Sequence, residues 1–229
     1  MPDFDTARRE TIRYHDELYA STSLDDAEGW LSKPHRLVFD ALELVPRGRP
    51  VIAYDLGAGI GRHVVPMLEH LPEGSDIYAI DLLASAVEQL RTLQPDSGTT
   101  TLHVRQQDLA DVRFVDHVDL VFAFSAVEHL PDLASLRALL QRIRAALAPG
   151  GVVALGIVAD RYEIDERGLA RPALLESGVT TAEVNELLVE AFGDLQVHRR
   201  TDSPARIPEE RDGETYTLAS TLITWIGRR

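Results

Sequence analysis

Asp55 and the three glycines that follow it, in VIAYDLGAGIGRHVV from Val51, are the first residues along the chain whose types and spacing can do chemistry. A glycine-rich turn between a strand and a helix lets the backbone approach a ligand closely and can aim free N–H groups at it. Two familiar nucleotide loops fail on spacing. The dinucleotide fingerprint G-x-G-x-x-G needs its third glycine where Arg62 stands, whereas the glycine comes one residue early, at Gly61. A Walker loop needs Gly-Lys-Ser or Gly-Lys-Thr, and neither follows. A carboxylate at the mouth of the loop repels a pyrophosphate but welcomes a ligand that is positive there.

S-adenosylmethionine fits that description, having an ammonium and a sulfonium and no phosphate. Asp81, ending IYAID, can accept both hydroxyl protons of a ribose, a property that does not separate this ligand from NAD. Asp108, in VRQQDLADV, can accept from an adenine amino group, with the Leu109 N–H beside it for a ring nitrogen. Each acid also has a plainer reading as a turn or cap residue. Glu128 and His129, in SAVEHLPD, lie where a strand leaves the sheet, the edge at which open α/β folds bind ligands. A histidine of pKa near 6.5 can take a proton from a substrate there; packing at a helix start is the alternative. Tyr14, His15 and Tyr19 fall in the first helix, with the two tyrosines too far round to share a face. Arg161, Tyr162, Arg206 and Arg211 lie in irregular segments, where they can meet an anionic substrate or simply be solvated.

These residues need a scaffold of alternating elements. Residues 3–20 have the pattern of an amphipathic helix with Phe4, Ala7, Ile12 and Leu18 roughly on one face, and HRLVFDALELV follows as a second helix behind Pro34. Then VIAYDL, IYAID, TLHVRQQ, VDLVFAF and GVVALGIV are five short apolar strands separated by helical patterns, which indicate a parallel sheet covered on both faces. The segment DRYEIDERGLARPALLESG is charged and aperiodic; Thr180 and Glu183 form a capping box before TAEVNELLVEAF; LQVHRRT and ETYTLASTLITWIG close as an antiparallel hairpin. The expected organisation is a helical cap over residues 1–48 and one domain over 49–229, with an insertion at about 159–179 that shapes a substrate pocket or is a surface excursion.

Taken in order, DLGAGIGR, Asp81, QQDLAD, VDLVFAFSAVEHL and LAPGG resemble the successive motifs of class I S-adenosylmethionine-dependent methyltransferases, over about residues 50–158. The resemblance implies a Rossmann-like α/β fold, with a seven-stranded, mostly parallel sheet and an antiparallel final strand. It also implies that Asp55, Gly57, Ala58 and Gly59 surround the methionine end of the cofactor and that Asp81 with Leu82 holds the ribose. Asp108 and Leu109 would then hold adenine, and Ser125 would lie beside the cofactor. His129 is the candidate base, Tyr14, Tyr19, Arg161, Tyr162 and Arg211 are candidate acceptor contacts, and the first helix is a candidate lid. A fainter similarity, in the arginine-rich loop and last strand, is to tellurite-resistance-type methyltransferases.

Composition narrows the partners. With 23 Lys and Arg against 37 Asp and Glu, the net charge of −14 repels phosphate backbones and anionic lipid. The absence of cysteine excludes thiolate metal sites, disulfides and cysteine nucleophiles, and no metal-ligand spacing stands out among the other residues. No apolar run approaches the roughly 20 residues that span a bilayer, so a cytoplasmic protein acting on a small molecule is expected, without nucleic acid or membrane. After the fourth strand the chain has Phe124-Ser125-Ala126-Val127 in place of the Asn- or Asp-Pro-Pro-aromatic run of many base and glutamine methyltransferases. An NAD-dependent oxidoreductase and a cofactor-binding regulator without turnover are the competing readings.

Overall fold

The computed structural model describes residues 4–25, 30–93, 100–173, 178–211 and 213–229. Helix α1 (Phe4–Ser21) and α2 (Arg36–Leu42) precede an alternation of β1 (Ile52–Leu56), α3 (Val64–His70), β2 (Asp76–Asp81), α4 (Ala84–Thr92), β3 (Thr101–Gln106) and β4 (Val118–Phe124). The chain continues through α5 (Leu133–Ala146), β5 (Leu147–Ile164), the short β6 (Ala170–Pro172), α6 (Thr181–Phe192), β7 (Gln196–Arg211) and β8 (Glu214–Arg228). The sheet order is β3-β2-β1-β4-β5-β8-β7, with β6 paired to β5 off that path. The five strands from β3 to β5 are parallel to one another; β8 runs antiparallel to both β5 and β7.

β1 is hydrogen bonded on both sides and covered on both faces, which is why its sequence is apolar until Asp55. Its side chains alternate between two cores. Tyr54 and Leu56 join the cluster under α5 and α6, while Ala53 joins the one under α2, α3 and α4. Leu136, Leu139, Leu140 and Ile143 of α5 recur at helical spacing and are all buried, and Asp132 caps that helix by accepting from the Ser135 N–H at 2.7 Å. Thr180 and Glu183 make both arms of the expected capping box at α6.

Two strands run well beyond their expected ends. β5 continues to Ile164, through charged residues without strand periodicity, because β8 pairs with it as far as Ile164↔Thr217. β7 absorbs the Pro-, Arg- and Glu-rich segment expected as a loop and pairs with β8 as far as Arg211↔Glu214. Pro204 and Pro208 are admitted because β7 is the sheet's edge, where a missing N–H need not break a ladder on its outer side.

Gly61 fixes the seat of the loop after β1. Its φ is +100°, and a Cβ there would lie 2.3 Å from Leu93 Cδ1 and 3.1 Å from Leu90 Cδ2. The early glycine thus lets the loop press against α4. Gly61→Ala is expected to destabilise the fold by about 2–3 kcal/mol, combining a left-handed backbone with crowding. Chemical denaturation checks this; an unchanged midpoint would show that the loop yields.

Candidate active site

The carboxyl ends of β1, β2 and β4 and the turns after them form the floor of a cleft, and α1 forms its roof. Gly57, Asp81, Leu82, Leu83, Asp108, Leu109, Ser125, Ala126 and His129 line it from below; Arg8, Thr11, Ile12, His15 and Tyr19 line it from α1. Sequence and topology agree here: an open parallel sheet with β1 at the switch of strand order opens a crevice at this edge.

The glycine loop is built differently from an anion cradle. The N–H groups of Gly57 and Ala58 both donate to Ile80 O, at 2.8 and 3.0 Å, and that of Gly59 donates to Asp81 Oδ2 at 2.7 Å. Expected to face a ligand, they are instead turned onto β2, so the loop has little to offer a phosphate. Gly57, at φ +71°, packs so that a Cβ would stand 2.2 Å from Ala126 Cβ; at Gly59, φ +54°, it would stand 3.1 Å from the Tyr19 hydroxyl.

Beneath the loop Asp55 is 1% exposed, and neither carboxylate oxygen has a hydrogen-bond partner among the described residues. Burial pushes its pKa up to about 8, the nearby Asp81 adds to the rise and Arg62 opposes it. Such a group awaits either a proton or a cation. The Arg62 guanidinium lies over the Phe124 ring at 5.4 Å.

Asp81 is anchored on both oxygens, Oδ2 by Gly59 and Oδ1 by the Leu83 N–H at 2.9 Å. Burial raises its pKa and these N–H groups hold it down. Asp108 Oδ1 accepts from the Ala110 N–H at 2.9 Å, and Oδ2 pairs with Arg8 of α1. Ser125 adopts φ +51° with its N–H on Gly156 O at 2.8 Å, which turns the chain from β4 into the short helical turn Val127–His129. The fully buried Glu128 ties that turn to β5 by accepting from the Val158 N–H at 3.3 Å. His129 then reaches the cleft, where its ring stands edge to face with His15, centroids 5.8 Å apart.

Of the candidate acceptor contacts, Tyr19 lines the cleft, whereas Tyr14 is not among the lining residues; it is 43% exposed and donates to Glu209 Oε2 at 3.1 Å. Arg161 donates to the Glu128 carbonyl at 3.4 Å, holding the same turn from outside. Tyr162 is exposed on β5, opposite Pro172 and Ala219, and Arg206 lies opposite Ala219 on β7. The Arg211 side chain lies outside the described residues. Arg8, Thr11, Ile12 and Leu83 are cleft residues that sequence reasoning passed over. The signal was present: Arg8, Thr11, Ile12, His15 and Tyr19 follow i, i+3, i+4, i+7 and i+11, one helical face, hidden because its members are mostly polar.

His35 and His63, behind the loop, are structural. His63 is 3% exposed, burial pushes its pKa down to about 2, and its Nε2 accepts from the His35 N–H at 3.2 Å. Among the described residues no group of three or more His, Asp or Glu is placed to hold a metal ion, and no helix is long and apolar enough to cross a membrane.

Comparisons with known proteins point the same way as the geometry. Residues 54–153 match the family described as Methyltransferase domain. The chain is 30% identical over 145 residues to the carboxy-S-adenosyl-L-methionine synthase of Aliivibrio salmonicida, covering 62% of this chain and 52% of that one. It is 30% identical over 134 residues to the trans-aconitate 2-methyltransferase of Methylobacterium nodulans, covering 58% and 48%. The chain thus spans about half the length of these curated relatives. The N-methyltransferase NodS from Bradyrhizobium japonicum, crystallised with S-adenosylhomocysteine, superimposes with a TM-score of 0.55 at 15% identity over 94% of this chain and 98% of that one, a likeness of fold.

Proposed function

We propose that this chain is a class I S-adenosylmethionine-dependent methyltransferase, a reading that the family match over residues 54–153 supports, and that it transfers a methyl group from that cofactor to a small-molecule acceptor. The observation that carries the reading is the buried Asp55 carboxylate, without a hydrogen-bond partner among the described residues, under a loop whose N–H groups are turned inward. That combination suits an ammonium and offers a pyrophosphate nothing, which weighs against NAD.

The cofactor, when bound, supplies a methyl group made electrophilic by its sulfonium. In this reading Asp55 and the Gly57–Gly59 turn hold its amino-acid end, Asp81 with Leu82 its ribose, and Asp108 with Leu109 its adenine. Helix α1 acts as the lid, excluding water and fixing the acceptor's approach; such positioning can supply about 7–11 kcal/mol of a barrier. His129, which lines the cleft, accepts the proton that the acceptor gives up, and Glu128 and Arg161 hold the turn that presents it. A small acceptor is supported by the roof that α1 makes over the cleft and by the net charge of −14, which disfavours nucleic acid. One relative's name, trans-aconitate 2-methyltransferase, is also that of an enzyme of a small molecule.

Incubation with methyl-labelled cofactor and a fractionated metabolite extract tests the reading. Label is expected in one low-molecular-weight fraction. Binding of S-adenosylhomocysteine with no label transferred would make the chain a cofactor-binding regulator instead. Binding of NAD with no binding of S-adenosylmethionine or S-adenosylhomocysteine would overturn the cofactor itself.

A further inference from the structure

Helix α1 lies over the cleft with little to hold it there. Ala7 is its one fully buried residue; Phe4, Ile12 and Leu18 are half-buried, and several of its ties are polar. Asp16 accepts from the Ser85 hydroxyl at 2.5 Å, Gln89 donates to the carbonyls of Tyr19 and Thr22, and Tyr14 donates to Glu209. These ties reach the outer flank of α4 and β7. Within the cleft itself α1 meets the floor where the His15 and His129 rings approach, and through the Arg8–Asp108 pair, which joins opposite charges.

We infer that Arg8 is a further residue of the cofactor site, a latch on Asp108 that sets how fast the adenine end of the cleft opens and closes. The inference rests on the cofactor reading above. An ionised carboxylate offers about four acceptor positions. Asp108 uses one for the Ala110 N–H and one for Arg8, so an adenine amino group can join without displacing the guanidinium. The pair therefore closes the cleft both before the cofactor arrives and after it is seated. A ligand under such a roof comes and goes only when the latch parts. Loss of the latch then accelerates arrival and departure by the same factor and leaves affinity nearly unchanged, whereas loss of an ordinary contact accelerates departure alone.

The test is the pair of rate constants for S-adenosylhomocysteine on the full chain, by surface plasmon resonance, for wild type, Arg8→Gln and Arg8→Lys. Arg8→Gln is expected to raise both rates roughly five- to tenfold with Kd within about twofold, as suits a part-exposed charged pair, and Arg8→Lys to fall between. Raising salt from 0.05 to 0.5 M, ionic strengths chosen to span about 14 to 4 Å of screening length, should quicken both wild-type rates and leave those of Arg8→Gln nearly flat. A rise in the dissociation rate alone, or no change in either rate, overturns the latch while leaving the cofactor reading in place. Failure of wild type to bind S-adenosylhomocysteine overturns both.

Discussion

Asp81→Ala is expected to weaken S-adenosylhomocysteine binding at least about 100-fold, read by titration calorimetry. The carboxylate is 7% exposed and stands at the end of β2 inside the cleft. Hydrogen bonds from a ligand's hydroxyls to a charged acceptor contribute about 1.5–3 kcal/mol each, and two lost together exceed the 2.7 kcal/mol or so that corresponds to 100-fold. The substitution also strips the Gly59 and Leu83 N–H groups of their common acceptor, loosening the glycine loop and the start of α4 at once. Asp81→Asn should recover little, because one of its two side-chain atoms is a donor and would face a backbone donor. Affinity within threefold of wild type for Asp81→Ala would remove the ribose from this position.

Asp55→Asn is expected to move stability and affinity in opposite directions. The unfolded chain gives up the Asp55 proton near 3.8, and the folded chain keeps it until about 8. Between those values the folded state binds the extra proton, so the contribution of Asp55 to stability is fullest in acid and declines as pH rises toward 8. Asparagine abolishes the decline. The gain should be small at pH 5 and reach roughly 2 kcal/mol at pH 8, part of the ionisation penalty being offset by an amide that is itself poorly partnered. Affinity for S-adenosylhomocysteine should instead fall about 30-fold at pH 8, a loss typical of a buried charged contact. In wild type that affinity should climb from pH 6 to 8, as a ligand's ammonium replaces the proton, and in the variant it should stay flat. Thermal melts and calorimetry across pH separate the cases. A variant less stable than wild type at pH 8 would mean that Asp55 is ionised and paired in the free protein.

The parallel half of the fold was legible because its central strands, β1 and β4, are buried on both faces and announce themselves as short apolar runs, while the half-exposed edge strand β3 keeps only a weaker pattern. Asp55, Asp81, Asp108 and His129 could be placed at one edge of the sheet from their positions at strand ends alone. The limits of β5 and β7 could not be read, since both are set by pairing with β8, which for β5 begins 50 residues after the strand ends. Nor could the direction of the loop's N–H groups be read, since their acceptors, Ile80 O and Asp81, belong to the next strand. The first helix was anticipated as a lid, but most of its lining face was passed over, because an apolar stripe marks a helix face turned to a core, and a face turned to a polar cleft carries Arg8, Thr11 and His15 instead.

The two prolines of β7 have a consequence for the chain in company. Pro204 and Pro208 stand at positions of equal parity on a 16-residue edge strand, so the donors they lack would all point one way. A strand from another molecule seeking to extend the sheet meets two gaps in the ladder, four residues apart, beside the charges of Asp202, Arg206 and Glu210. The long hairpin is thereby kept from templating its own polymerisation, and the sheet can reach far past its parallel core without becoming adhesive.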